Sequence, residues 1–115
     1  MGNSKKNKLS ALIFDAIVTK GIESSKGDIL SDDPIEDKVY TKRINIGKNY
    51  GEGANAVEVA CVSITSGSCD WDSISKDSSK MRNIRINVKN RQNKWCNIFI
   101  NEAPDDLLEF VSRNV

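Results

Sequence analysis

The chain has 115 residues, 38% of them apolar and 29% charged, with a formal net charge of +1. That length suits one domain around a single core, and the composition is too apolar for disorder throughout. Histidine is absent, which removes the commonest general acid–base and metal ligand at neutral pH and excludes Ser–His and Cys–His nucleophile systems.

Residues 1–8 are polar and basic and are expected to form a flexible tail carrying Lys5, Lys6 and Lys8. The lysines followed by Leu9-Ser-Ala-Leu-Ile-Phe imitate a secretory leader. Asp15 breaks the apolar run, however, and Val18-Thr-Lys-Gly is not a cleavage site, so no leader is expected. Met1-Gly-Asn-Ser-Lys resembles the acylated start of the recoverin-like neuronal calcium sensors over those residues alone, with Lys6 standing where a hydroxyl is required. The resemblance implies a membrane-facing terminus in which an acyl chain on Gly2 and the polybasic Lys5, Lys6 and Lys8 would act together, as in a peripheral or matrix-type protein.

From residue 9 onward a single α+β domain is expected. Leu9 to Val18 fits two patterns. As a helix it places Leu9, Leu12, Ile13, Ala16 and Ile17 on one stripe and stops at Gly21; as a strand it places Leu12, Phe14, Ala16 and Val18 on one face. The helix is the favoured reading. Residues 21–38 hold Glu23, Asp28, Asp32, Asp33, Glu36, Asp37 and Pro34 and read as a long acidic loop without the ligand spacing of a calcium-binding loop.

Val39 to Ile46 alternates as a strand, with Tyr40, Ile44 and Ile46 on one face, and Gly47 to Gly53 reads as a turn. Gly51-Glu-Gly53-Ala resembles the opening of a dinucleotide fingerprint but is followed by strand alternation instead of the helix that would hold a pyrophosphate. In the strand from Asn55 to Thr65 the apolar phase switches. Val57, Val59 and Cys61 share one parity, while Val62 and Ile64 take the other, which predicts a bulge or burial on both faces. Cys69-Asp-Trp-Asp lies in a serine-rich polar excursion reaching Ser79, where two carboxylates make a poor setting for a reactive thiol.

Arg82 to Val88 and Lys94 to Ile100 form the last two strands. Pairing Val88 with Lys94 across a loop of Lys89 to Asn93 brings Ile86 to Cys96 and Ile84 to Ile98, and turns Asn83, Arg85, Asn87, Trp95, Asn97, Phe99 and Asn101 to the opposite face. Ala103-Pro-Asp-Asp-Leu-Leu opens a helix, with Pro104 at its first position, Asp105 and Asp106 at its positive end, and Leu107, Leu108 and Val111 against the sheet. This ending resembles in outline the close of a pleckstrin-homology-type barrel over about twenty residues, a likeness of fold and not of function. The visible strands are too few for such a barrel. The expected fold is therefore α+β, with a four- to five-stranded, mainly antiparallel sheet, a C-terminal helix and the N-terminal helix just described.

Cys61, Cys69 and Cys96 are an odd set without a CxxC pair, which points to free thiols in or near the core and to a reducing, cytoplasmic setting. No apolar run approaches the ~20 residues of a membrane span. Between Lys80 and Asn101 the chain carries Lys80, Arg82, Arg85, Lys89, Arg91 and Lys94 and no acid. A non-enzymatic binding module is expected, without cofactor or metal. It would engage an acidic protein surface through Arg85, Lys89, Arg91 and Lys94, with Trp95 and Phe99 as anchors. Single-stranded nucleic acid is the alternative partner for the same face, provided both aromatics are exposed. If a helix covered that face, the rings would be ordinary core.

Overall fold

The structure, a computed structural model, describes residues 2–26 and 39–115. The chain folds as α1 (Gly2–Lys20), β1 (Ile22–Lys26), β2 (Val39–Tyr50), β3 (Val57–Ser66), α2 (Trp71–Ser75), β4 (Ile84–Lys89), β5 (Trp95–Phe99) and α3 (Asp105–Arg113), with short 3-10 turns at Gly53–Asn55, Ser78–Asn83 and Ile100–Glu102. The five strands make one antiparallel sheet in the order β1-β2-β3-β4-β5. The expected α+β class is what the chain adopts. Among the described residues its sheet is an open meander with β1 and β5 at the edges and not a closed barrel.

Helix α1 begins at Gly2, so Gly2 to Lys8 are helical where a flexible tail was expected. Lys5 pairs with the carboxylate of Glu109 in α3, and Lys6 Nζ donates to the Asn101 carbonyl at 2.8 Å. These long-range contacts hold the first turns. The buried stripe is Ser10, Ile13, Phe14, Ile17 and Val18 together with Ala16, while Leu12 is 50% exposed. Relative to the expected stripe the helix is rotated so that its bulkiest residue, Phe14, faces the core. Gly21 ends it: its N–H donates to Ile17 O at 2.8 Å, and a Cβ there would collide with that same carbonyl oxygen. Lys42 Nζ donates to Val18 O at 2.8 Å, placing a cation where the helix dipole is negative.

Ile22–Lys26, expected as loop, is strand β1, paired with β2. The acidic residues Asp28, Asp32, Asp33, Glu36 and Asp37 and the proline Pro34 lie outside the described residues. β2 does not turn at Gly47. It continues to Tyr50 through an irregularity in which Ile46 and Gly47 intervene between the paired residues Asn45 and Lys48, with Gly47 at φ 63°. That left-handed conformation suits glycine and forms the bulge. The phase switch read in β3 is also a bulge. The β3–β4 register shifts between Val59 and Cys61, which lets Val59, Val62 and Ile64 all be buried.

The serine-rich stretch holds more structure than expected. Asp70 caps α2, its carboxylate accepting from Ser73 N and Ser73 Oγ; Ile74 is buried. Asp77 caps the following 3-10 turn through Ser79 N and Oγ, and these hydrogen bonds hold its carboxyl below the usual range. Asp70 and Asp72 therefore belong to a helix start within that polar excursion. In α3, Pro104 is the N-cap rather than the first helical residue, and Leu107, Leu108 and Val111 are buried as expected.

α1, α2 and α3 contribute Ile13, Phe14, Ile17, Ile74, Leu107, Leu108 and Val111 to the same core as Val59, Val62, Ile64, Ile84, Ile86 and Val88 of the sheet. By alternation, residues between these strand positions project to the other side.

Candidate binding face: the open side of the sheet

Strand pairing aligns the outward-projecting residues in rows. One row crosses all five strands as Ile22, Arg43, Ser63, Arg85 and Phe99; the next runs Asn45, Cys61, Asn87 and Asn97; the third runs Asn49, Glu58, Lys89 and Trp95. Trp95 is 61% exposed and Phe99 38% exposed, and the core helices pack on the other side. The covered-face alternative, with both rings in the core, does not hold among the described residues.

The β4–β5 register differs from the expected one. Val88 pairs with Cys96, Ile86 with Ile98 and Lys89 with Trp95, a slide of two residues. Side chains alternate with period two, so the slide leaves the residues of β4 and β5 on their expected faces, whereas Asn83, Ile100 and Asn101, expected on the strands, lie in the flanking 3-10 turns. The turn fixes the register. Asn90 O accepts from Asn93 N at 3.0 Å and Asn90 N donates to Lys94 O at 3.0 Å. The Asn90 side chain accepts from Gln92 N and Lys94 N, and Asn93 adopts φ 63°. Asparagine tolerates that conformation better than most residues, which makes Asn90 to Lys94 the better loop.

The rows are tied together across strands. Asn87 Nδ2 donates to Asn97 Oδ1 at 2.6 Å. The Arg85 guanidinium lies 5.3 Å from the centre of the Phe99 ring, and Lys89 Nζ lies 5.3 Å from that of Trp95. Each ring thus has a cation beside it, an arrangement favourable by about 0.5–1 kcal/mol at exposed sites. Along β5, Trp95 and Phe99 are four residues, or about 13 Å, apart, with the Asn97 amide between them.

Two shallow clefts bound the face. Near Phe99, a cleft of about 270 Å³ is lined by Val39, Thr65, Ser66, Gly67, Lys80, Asn83, Arg85 and Phe99. At the hairpin end, one of about 260 Å³ is lined by Asn49, Ala56, Val57, Glu58, Lys89, Asn90, Arg91 and Asn93. Arg91 donates to Gly53 O at 3.1 Å, and Lys94 is exposed beside the turn. No salt bridge reaches Arg85, Lys89, Arg91 or Lys94 among the described residues. The Nε of Arg85 is buried without an acceptor there.

Arg85, Lys89, Trp95 and Phe99 are therefore brought together on one face, with Arg91 and Lys94 at its hairpin margin. Gly2, Lys5, Lys6 and Lys8 lie apart in α1. Sequence reasoning missed Arg43 and Cys61. The signal for Arg43 was present, since it is out of phase with Ile44 and Ile46; Cys61 was hidden by the bulge. Burial pushes the Cys61 thiol up, and Arg43 opposes that shift. The cysteines are free, with Cys61 half-buried and Cys69 and Cys96 exposed, so two of them are surface thiols and not near-core groups.

No family model, curated protein or solved structure matches this chain. No helix among the described residues is long and apolar enough to cross a membrane.

Proposed function

We propose that the protein is a non-enzymatic binding module that holds single-stranded nucleic acid on the open side of its sheet. The observation that carries this reading is the exposure of Trp95 and Phe99 on the same face of β5, each with a cation beside it. Unpaired bases stack on exposed rings for about 1–3 kcal/mol each, without requiring a particular sequence. Arg43, Arg85 and Lys89 supply charge for phosphates. The Asn87–Asn97 pair offers amide groups to base edges between the rings.

An acidic protein surface is the second reading. Arg91 and Lys94, free of salt bridges among the described residues, favour it because such margin charges speed encounter with an acidic partner. The membrane reading gains less, because Lys5 and Lys6 are engaged with Glu109 and Asn101.

Fluorescence anisotropy of a labelled single-stranded oligonucleotide separates the first two readings. Nucleic-acid binding gives saturable binding at low salt that Trp95→Ala and Phe99→Ala each weaken. Absence of binding at low ionic strength removes this reading and leaves the acidic protein partner.

A further inference from the structure

The hydrogen bond from Asn90 N to Lys94 O fixes the phase of the β4–β5 ladder. In an antiparallel pair, hydrogen-bonded and non-hydrogen-bonded residue pairs alternate. Val88–Cys96 and Ile86–Ile98 are then hydrogen-bonded pairs, whereas Lys89–Trp95, Asn87–Asn97 and Arg85–Phe99 are not. Side chains approach more closely in the second kind, which fits the Asn87–Asn97 hydrogen bond and both ring–cation contacts.

It follows that the backbone N–H and C=O groups of Trp95, Asn97 and Phe99 point away from β4, toward the free edge of the sheet. Among the described residues β5 pairs only with β4. Within Trp95–Phe99 the strand has no proline and no charged residue, the usual protections of an exposed edge. All of it is exposed except the partly buried Ile98.

We propose that β5 is the interface of a symmetric homodimer, in which two copies of this chain pair their β5 edges antiparallel about a two-fold axis through Asn97. The edge is self-complementary under that operation. Asn97 meets the second copy's Asn97, and Trp95 meets the second copy's Phe99, so each outward-pointing backbone group finds one of its own kind of pair. About six backbone hydrogen bonds result, two for each hydrogen-bonded pair. Trp95 and Phe99 become an aromatic cross-strand pair on the open face.

Charge agrees with this choice of partner. Arg91 and Lys94 lie just before β5, while Glu102, Asp105 and Asp106 lie just after it. Antiparallel pairing sets the basic end of each strand beside the acidic end of the other. The isologous contact closes on itself and joins the two open faces into one sheet surface. The dimer does not depend on what that surface binds.

Sedimentation of the full chain tests it, together with the variant Asn97→Pro. Proline at this position removes an edge-facing donor and leaves the backbone bonds to β4, so the protomer should keep its circular dichroism spectrum; the side-chain bond to Asn87 is lost equally in Asn97→Ala, which serves as its control. The wild type is expected to shift from 12.8 kDa toward twice that mass as concentration rises to about 1 mM, the weak end of association. N97P should remain at the protomer mass, and Asn97→Ala should still dimerise. Amide hydrogen exchange of the wild type provides a readout that needs no variant: Trp95, Asn97 and Phe99 should slow with concentration while Cys96 and Ile98 do not change. A wild type that stays monomeric throughout, or a dimer in which those three amides exchange as fast as in the monomer, overturns the proposal.

Discussion

Arg85 and Phe99 face one another across β4 and β5, with the guanidinium carbon 5.3 Å from the ring centre and the Nε–H buried without an acceptor among the described residues. An orphaned buried donor costs about 1–3 kcal/mol, so Arg85 is not the residue that stability alone would select at this position. Replacing it with methionine should leave folding stability unchanged or raise it, by up to about 2 kcal/mol after the lost ring contact is set against the relieved donor. The same variant should bind a single-stranded oligonucleotide more weakly. Thermal denaturation and anisotropy on one preparation check both halves.

Trp95 projects from an edge strand and contributes little to the core. Trp95→Ala should lower oligonucleotide affinity by about 1–3 kcal/mol, roughly 5- to 150-fold, with a change in folding stability near that of an ordinary surface substitution, within about 0.5 kcal/mol. Isothermal titration beside urea unfolding would show whether the two effects separate.

Ile86 is fully buried and pairs with Val62 on one side and Ile98 on the other. Its truncation to alanine should cost about 2–5 kcal/mol, the range for large aliphatic side chains in cores. Chemical denaturation should record a lower midpoint with an unchanged slope.

Gly21 joins α1 to β1 with no room for a side chain, because a Cβ would strike the Ile17 carbonyl that its own N–H engages. Gly21→Ala should therefore destabilise, by about 1–3 kcal/mol as expected for a mutation acting through a named steric clash. The helix C-terminus should be the first part to lose protection in hydrogen exchange.

The pairing of Lys5 with Glu109 couples α1 to α3 in a pH-dependent way. It holds the Glu109 carboxyl below its ordinary 4.5 and lifts the Lys5 amine above its ordinary 10.5. A carboxyl with a lowered folded value stabilises above 4.5, and that contribution fades as pH falls through the lower folded value. An amine with a raised folded value stabilises below 10.5, and its contribution fades as pH rises through the higher one. Glu109→Gln should flatten the stability profile at both extremes and leave N-terminal amides of α1 exchanging faster. The surface position makes the effect small.

What the sequence disclosed and what it withheld follow from how local each determinant is. The bulge in β3 was legible because Val57, Val59 and Cys61 fall out of phase with Val62 and Ile64, and the start of α3 because Pro104, Asp105 and Asp106 are nearest-neighbour signals. The faces of β4 and β5 were legible although the register was not, since period-two alternation is blind to a slide of two. Register was decided instead by the left-handed Asn93 and the side-chain bonds of Asn90. β1 was not legible: Ile-Glu-Ser-Ser-Lys has no strand pattern and becomes one only by pairing with β2. The first turns of α1 were hidden for the same reason, their partners Asn101 and Glu109 being far along the chain. Arg43 joins the candidate face by crossing three strands to reach the row of Phe99, a relation that exists only once the sheet order is known.

The most direct test uses the Trp71→Phe variant, in which Trp95 is the sole indole, and follows its fluorescence while a single-stranded oligonucleotide is added at several salt concentrations. Stacking on the open face predicts saturable quenching at low salt, with the logarithm of the binding constant falling against the logarithm of salt at a slope of about −2 to −3 for three to four phosphates contacted. An indole whose emission does not respond at low ionic strength would contradict it.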